Sequence, residues 1–67
     1  MINLWDYARG RPRVRITRKS GSIVQGKTIG VFDAEELDDD EDAIGIDLDG
    51  GGADTVYLSE IAKIERI

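Results

Sequence analysis

From Val14 to Asp33 the chain reads V-R-I-T-R-K-S-G-S-I-V-Q-G-K-T-I-G-V-F-D. Apolar residues recur at every second position, the period of a half-buried β-strand, with one interruption at Lys19-Ser20-Gly21 and a second glycine, Gly26, inside the later run. The pattern predicts a tight hairpin. Its first strand runs from about Arg13 to Arg18, with Val14 and Ile16 facing in and Arg13, Arg15 and Thr17 facing out. The second, from Ser22 to about Asp33, places Val24, Gly26 and Thr28 on one face and Ile23, Gln25, Lys27 and Ile29 on the other. Apolar residues on both faces, with Gly26 and Gly30 within the run, predict a strand that bends sharply and serves two sheets, as a small barrel requires.

Sixty-seven residues allow one domain with little interior. The chain has no cysteine and no histidine, so disulfide scaffolds, thiolate metal sites and imidazole or cysteine catalysis are excluded. Its longest apolar stretches, such as Gly30 to Phe32 and Val56 to Leu58, fall far short of the roughly 20 residues that cross a bilayer. The amino end has no basic and apolar regions of a signal peptide. A soluble, cytoplasmic protein that does not engage membrane is expected.

Around the hairpin, the punctuation predicts the remaining elements. Residues 1–10 read as a short amino-terminal helix. Asn3 is its cap, Asp6 answers three positions on, Ile2 and Tyr7 form a hydrophobic staple, and Gly10 and Pro12 end it. Leu4, Tyr7 and Ala8 share one face, which predicts packing across the mouth of the sheet. Ala43 to Asp49 alternates with Ile44, Ile46 and Leu48 inward, Gly50-Gly51-Gly52 forms a turn, and Asp54 to Leu58 is a fourth strand. The spacing of Ile61, Ile64 and Ile67 predicts a turn of tight helix opening a short last strand. Residues 35–42 hold seven acids in eight positions and predict a solvated acidic loop, dispensable for folding.

Charge divides along the chain. Residues 1–27 carry seven cations and one acid, a balance of +6, whereas the rest carries two cations and thirteen acids, a balance of −11. One reading is a nucleic-acid face, with Arg9, Arg11, Arg13, Arg15, Arg18 and Lys19 meeting phosphates and Trp5, Tyr7 and Tyr57 stacking on bases. On this reading Arg11, Arg13 and Arg15 alternate onto one side of an extended segment. The other reading is a folded body in which the two halves interleave and neutralise each other.

Other chemical signatures fail on their own terms. Asp47-x-Asp49-Gly50 resembles the start of a calcium loop, yet Gly51 and Leu58 occupy its fifth and twelfth places, so no metal is expected. Gly21-x4-Gly26-Lys27-Thr28 matches the letters of a phosphate-binding loop but lies where a strand runs, and Ile29-Gly30-Val31-Phe32 is a poor helix start. Ser20, Ser22 and Ser59 have no nearby candidate base. Neither an enzyme nor a cofactor is expected.

The apolar strand, the Lys19-x-Gly21 turn, Gly26 and the later Phe32-Asp33 resemble the first signature of the Sm and Sm-like family. One residue is inserted between Gly26 and Phe32-Asp33, which fits a bulge. The resemblance implies a mostly β fold: a short amino-terminal helix over 1–10 followed, over 13–67, by a five-stranded, strongly bent Sm-like (SH3-like) barrel, with Gly21, Gly26, Phe32 and Asp33 as its structural motif. It also implies assembly into rings by pairing the fourth strand of one copy with the fifth of the next. RNA-binding members carry an asparagine after Phe-Asp, but Ala34 to Leu37 offer none and Asn3 is the chain's one asparagine. Where the second signature has arginine-glycine, this chain has Ser59-Glu60. The expected role is therefore a non-enzymatic binding or adaptor module for protein partners or copies of itself. RNA or single-stranded nucleic-acid binding through the basic half is the alternative.

Overall fold

The computed structural model describes residues 2–37 and 40–67. Five antiparallel strands form one sheet: β1 (Arg13–Arg18), β2 (Ile23–Phe32), β3 (Ala43–Leu48), β4 (Ala53–Tyr57) and β5 (Ile61–Arg66), in the spatial order β4-β3-β2-β1-β5. The ladder stays open, with β4 and β5 as its edges. Yet those two strands are joined by only Leu58–Glu60, a single turn of 3₁₀ helix. Edge strands of a flat five-stranded sheet lie about 19 Å apart, while three residues of 3₁₀ helix rise about 6 Å. The sheet must therefore curl until its edges approach each other.

Strand β2 makes the curl. Val24, Gly26 and Thr28 are buried, then the register with β3 shifts between Thr28 and Gly30, leaving Ile29 without a partner. The irregularity lies between Gly26 and Phe32, where a bulge was expected. It returns Val31 to the inside and turns Phe32 outward, so one strand packs on both faces as the sequence pattern predicts. The Phe32 ring covers Gly45 of β3, where an added Cβ would lie 3.1 Å from it. A second bulge explains the isoleucine spacing near the carboxyl end. The β1–β5 register shifts beside Ala62, so Ile61 opposes Arg18 and Ile64 opposes Ile16, both on the inner face. The expected tight helical turn lies before Ile61, at Leu58–Glu60, instead of within the last segment.

Inside the curl, Val14, Ile16, Val24, Val31, Ile44, Ile46, Val56 and Ile61 pack with Leu4, which closes one end. Thr28 is the buried polar side chain among the described residues, and its hydroxyl donates to the Pro12 carbonyl at 2.8 Å. The amino-terminal helix is shorter and tighter than expected over 1–10: it is a 3₁₀ turn, Leu4–Tyr7. Asn3 caps it, its side-chain oxygen accepting from the Trp5 N–H at 3.1 Å. Only four residues lie between Asn3 and the C-cap Ala8, and the left-handed Gly10 (φ +78°) follows, which leaves no length for a run of i to i+4 bonds. The acidic segment also departs from the expected loop, since Ala34–Leu37 form one α-helical turn, α1. Asp38 and Asp39 lie outside the described residues.

At the seam between the curled edges, Arg18 of β1 reaches across to Asp54 of β4 at 2.7 Å and to Glu60 at 3.4 Å. No strand pairing joins β1 to β4, so this cluster ties together parts of the sheet that its ladder leaves apart. Removing Arg18 strands two half-buried carboxylates side by side. Arg18→Ala is expected to cost about 1–3 kcal/mol in chemical denaturation, against under about 1 kcal/mol for Arg15→Ala on the outer face.

Gly26 is required for a reason that the sequence pattern does not contain. A Cβ there overlaps the backbone carbonyl oxygen of Asp47 and sits 2.8 Å from its carbon, because β3 passes close at the bend. Backbone cannot move aside as a flexible side chain can. Gly26→Val is expected to abolish cooperative thermal unfolding, whereas Gly50→Ala, in open space, should change stability by no more than about 0.5 kcal/mol.

Candidate functional site

The basic residues singled out by the sequence do not form one surface. Arg11 has φ +46° and lies before β1, so it leaves the row that Arg13 and Arg15 begin. The expected alternation of Arg11, Arg13 and Arg15 on one side of a strand is thus broken by the Gly10–Pro12 corner.

On the outer face, Arg15 has Gln25 as its cross-strand neighbour on β2 and Glu65 on β5. Its Nε donates to Gln25 Oε1 at 3.0 Å, and a terminal nitrogen pairs with Glu65 at 3.6 Å. Gln25 Nε2 donates in turn to Asp49 Oδ2 at 3.0 Å, and Arg13 pairs with the same oxygen. The resulting row, Glu65–Arg15–Gln25–Asp49–Arg13, crosses β5, β1 and β2 and alternates in charge. Arg18 is committed at the seam. Carboxylates from the acidic half therefore neutralise three of the six candidate cations, which is the interleaved arrangement weighed from the sequence.

Arg9, Arg11 and Lys19 enter no ion pair among the described residues, and they are dispersed. Arg9 stands at the end of the 3₁₀ turn, Arg11 on the corner after it, and Lys19 in the β1–β2 turn, where its backbone N–H donates to the Glu60 carbonyl at 2.7 Å. The aromatic candidates are separated too. Trp5 remains exposed, while Tyr7 packs against the core. Among the described residues, no three potential metal ligands cluster. Gly26-Lys27-Thr28, the end of the letters matching a phosphate-binding loop, lie inside β2.

Several contacts had no signal in the spacing because they span most of the chain. Arg66 lies with its guanidinium 5.0 Å from the Tyr7 ring centre and donates to the Asp6 carbonyl at 2.6 Å. Two residues of the acidic segment hold the ends of the sheet. Asp42 accepts from the Trp5 indole N–H at 3.1 Å and from the Ala34 N–H at 3.0 Å. Glu41 accepts from the backbone N–H of Ser59 at 2.7 Å and its hydroxyl at 2.9 Å. The expectation that this whole segment is dispensable therefore does not extend to Glu41 and Asp42. Of Ser59 and Glu60, which stand where the resemblance called for arginine-glycine, Ser59 binds Glu41 and Glu60 lies beside Arg18 at the seam.

Comparison with family models, with curated proteins and with solved structures finds no match to this chain. No helix among the described residues is long and apolar enough to cross a membrane.

Hydrogen bonding from Gln25, reinforced by Arg13, holds the Asp49 carboxyl below its ordinary value of 3.8 despite an opposing desolvation effect. A carboxyl depressed in the folded state adds stability above its unfolded value, and that contribution is lost as pH falls through the folded value. In an NMR acid titration, Asp49 should titrate below 3.8 in the native protein and move up toward that value in Gln25→Ala.

Proposed function

We propose that this chain is a non-enzymatic, Sm-like small-barrel binding module that docks protein strands, a second copy of itself included, on the free edges of its sheet. The observation that carries the reading is that those edges are β4 and β5, the two strands that the family resemblance implies in ring assembly. The curl argued from the Leu58–Glu60 connection supports a barrel-like body. Neutralisation of Arg13, Arg15 and Arg18 within the fold weighs against a continuous polyanion groove.

The phase of the ladder identifies which backbone groups face outward. The Leu48 N–H to Gly52 carbonyl bond sets the β3–β4 phase, so Ala53, Thr55 and Tyr57 direct their backbone groups away from β3. The Ile67 N–H to Arg13 carbonyl bond likewise leaves those of Ile64 and Arg66 outward on β5. A strand added at either edge gains main-chain hydrogen bonds, the general basis of β-augmentation. The β4 edge is partly covered, since the Thr55 N–H donates to Asp54 Oδ1 at 2.8 Å and the Tyr57 N–H to Glu60 Oε1 at 3.4 Å.

Proline at Thr55 removes an edge-facing donor while leaving the β3–β4 bonds in place. Light scattering of the native protein should give at least twice the chain mass, and Thr55→Pro should shift it toward the monomer without loss of folded signal. A monomeric native protein that takes up single-stranded RNA at physiological salt, with weakening in Arg11→Ala or Lys19→Ala, would instead establish the nucleic-acid alternative.

A further inference from the structure

The 3₁₀ turn and the end of β5 flank an open recess of about 350 Å³ lined by Trp5, Asp6, Arg9 and Arg66. Its size falls at the small end of ligand sites. Four features make it more than a dent between surface side chains. Trp5 is 44% exposed, but its indole N–H is tied to Asp42 Oδ2, so the ring is positioned while much of its surface remains bare. Arg66 is held from two directions, by the Tyr7 ring and the Asp6 carbonyl, which fixes a cation at the wall. Arg9 supplies a second cation with no ion-pair partner among the described residues. Finally, the Asp6 side chain is an acceptor that no described side chain engages.

An aromatic face, two cations and one carboxylate around a single small recess suit a planar heteroaromatic ring bearing both hydrogen-bond donors and an anionic group. We infer that this recess binds a nucleoside monophosphate unit, with the base stacked on Trp5, a base amino group donating to Asp6, and the phosphate held by Arg9 and Arg66. Stacking tolerates any base, whereas the carboxylate favours bases that carry an exocyclic amine. An isolated phosphate fits less well because Asp6 repels it, and an uncharged aromatic ligand leaves both guanidinium groups unused. The unit is either a free mononucleotide or the phosphorylated end of a single strand. The site lies between the capping turn and the end of β5, with Arg66 shared between the recess and the β5 edge, and apart from the β4 edge.

Trp5 is the chain's single tryptophan, so its fluorescence reports on the recess directly. Titration of the full chain with AMP at physiological salt should give saturable quenching with a dissociation constant below about 1 mM. Adenosine or inorganic phosphate alone should require at least about tenfold higher concentration. Arg9→Ala, at an exposed position with no ion pair to lose among the described residues, should weaken AMP about tenfold while leaving adenosine unchanged, with partial recovery in Arg9→Lys. A 5′-phosphorylated oligoadenylate that binds more tightly than AMP identifies a strand end as the source, and equal binding identifies the free nucleotide. Absence of saturable quenching up to about 5 mM AMP, or an unchanged AMP affinity in a folded Arg9→Ala variant, overturns the inference.

Discussion

Three residues, Leu58–Glu60, impose the geometry on which the rest of this molecule depends. They join the first and last strands in the spatial order of the sheet, and a flat sheet would hold those strands too far apart to be joined so briefly. Curling requires a strand that can change its packing face and a place where two strands can come unusually close. β2 supplies both, through the bulge at Ile29 and the bare backbone of Gly26 against Asp47. The apolar interior is then lined by facing halves of one sheet's inner side instead of by two separate sheets. This is how a chain with so few large side chains buries Val14, Ile16, Ile44, Ile46 and Val56 completely.

Electrostatics follows from the same curl. A chain with its cations early and its acids late would repel within each half if the halves folded separately. Antiparallel pairing of β1 with both β2 and β5 instead brings Arg15 beside Gln25 and Glu65, and the turn after β3 carries Asp49 to Arg13. On the exposed face each such pair contributes little to stability, typically under about 1 kcal/mol. Their larger effect is on the field of the molecule, because a tract that is strongly basic in sequence becomes a surface of alternating sign. Of the six cations weighed for phosphate binding, the three that escape this pairing among the described residues, Arg9, Arg11 and Lys19, lie at turns and corners, which leaves Arg9 available for a ligand beside Arg66 at the end of β5.

Much of the sheet was legible because period-2 alternation is a local property of the chain. It located β1 at its observed bounds and β2 through β4 to within a residue. Local reading was weaker where length decides between helix types: Asn3, Asp6 and Gly10 announce a helix, yet only four residues separate its caps, and a 3₁₀ turn results. It also shifted the last helical turn, because a bulge at Ala62 and a tight helix produce the same spacing of isoleucines. The ion pairs and the recess were not legible at all. Arg66 and Asp6, or Trp5 and Asp42, meet only after the sheet has curled, and nothing in their spacing records the meeting.

The seam carries a further consequence for how the edge of β4 can be used. Asp54 accepts from Arg18 through Oδ2 and from the Thr55 N–H through Oδ1, so one carboxylate both holds the curl and covers an edge donor. Glu60 is divided in the same way, with Oε2 beside Arg18 and Oε1 accepting from the Tyr57 N–H. An incoming strand that takes over the Thr55 and Tyr57 donors need not break the pairs with Arg18, since it competes for the other oxygen of each carboxylate. The freed oxygens turn back toward the guanidinium or to water, where a carboxylate is well solvated, so uncovering the edge costs less than burying a bare charge would. The same two side chains thus discourage casual pairing at an exposed strand while leaving that strand open to a partner whose main chain offers better-aligned acceptors.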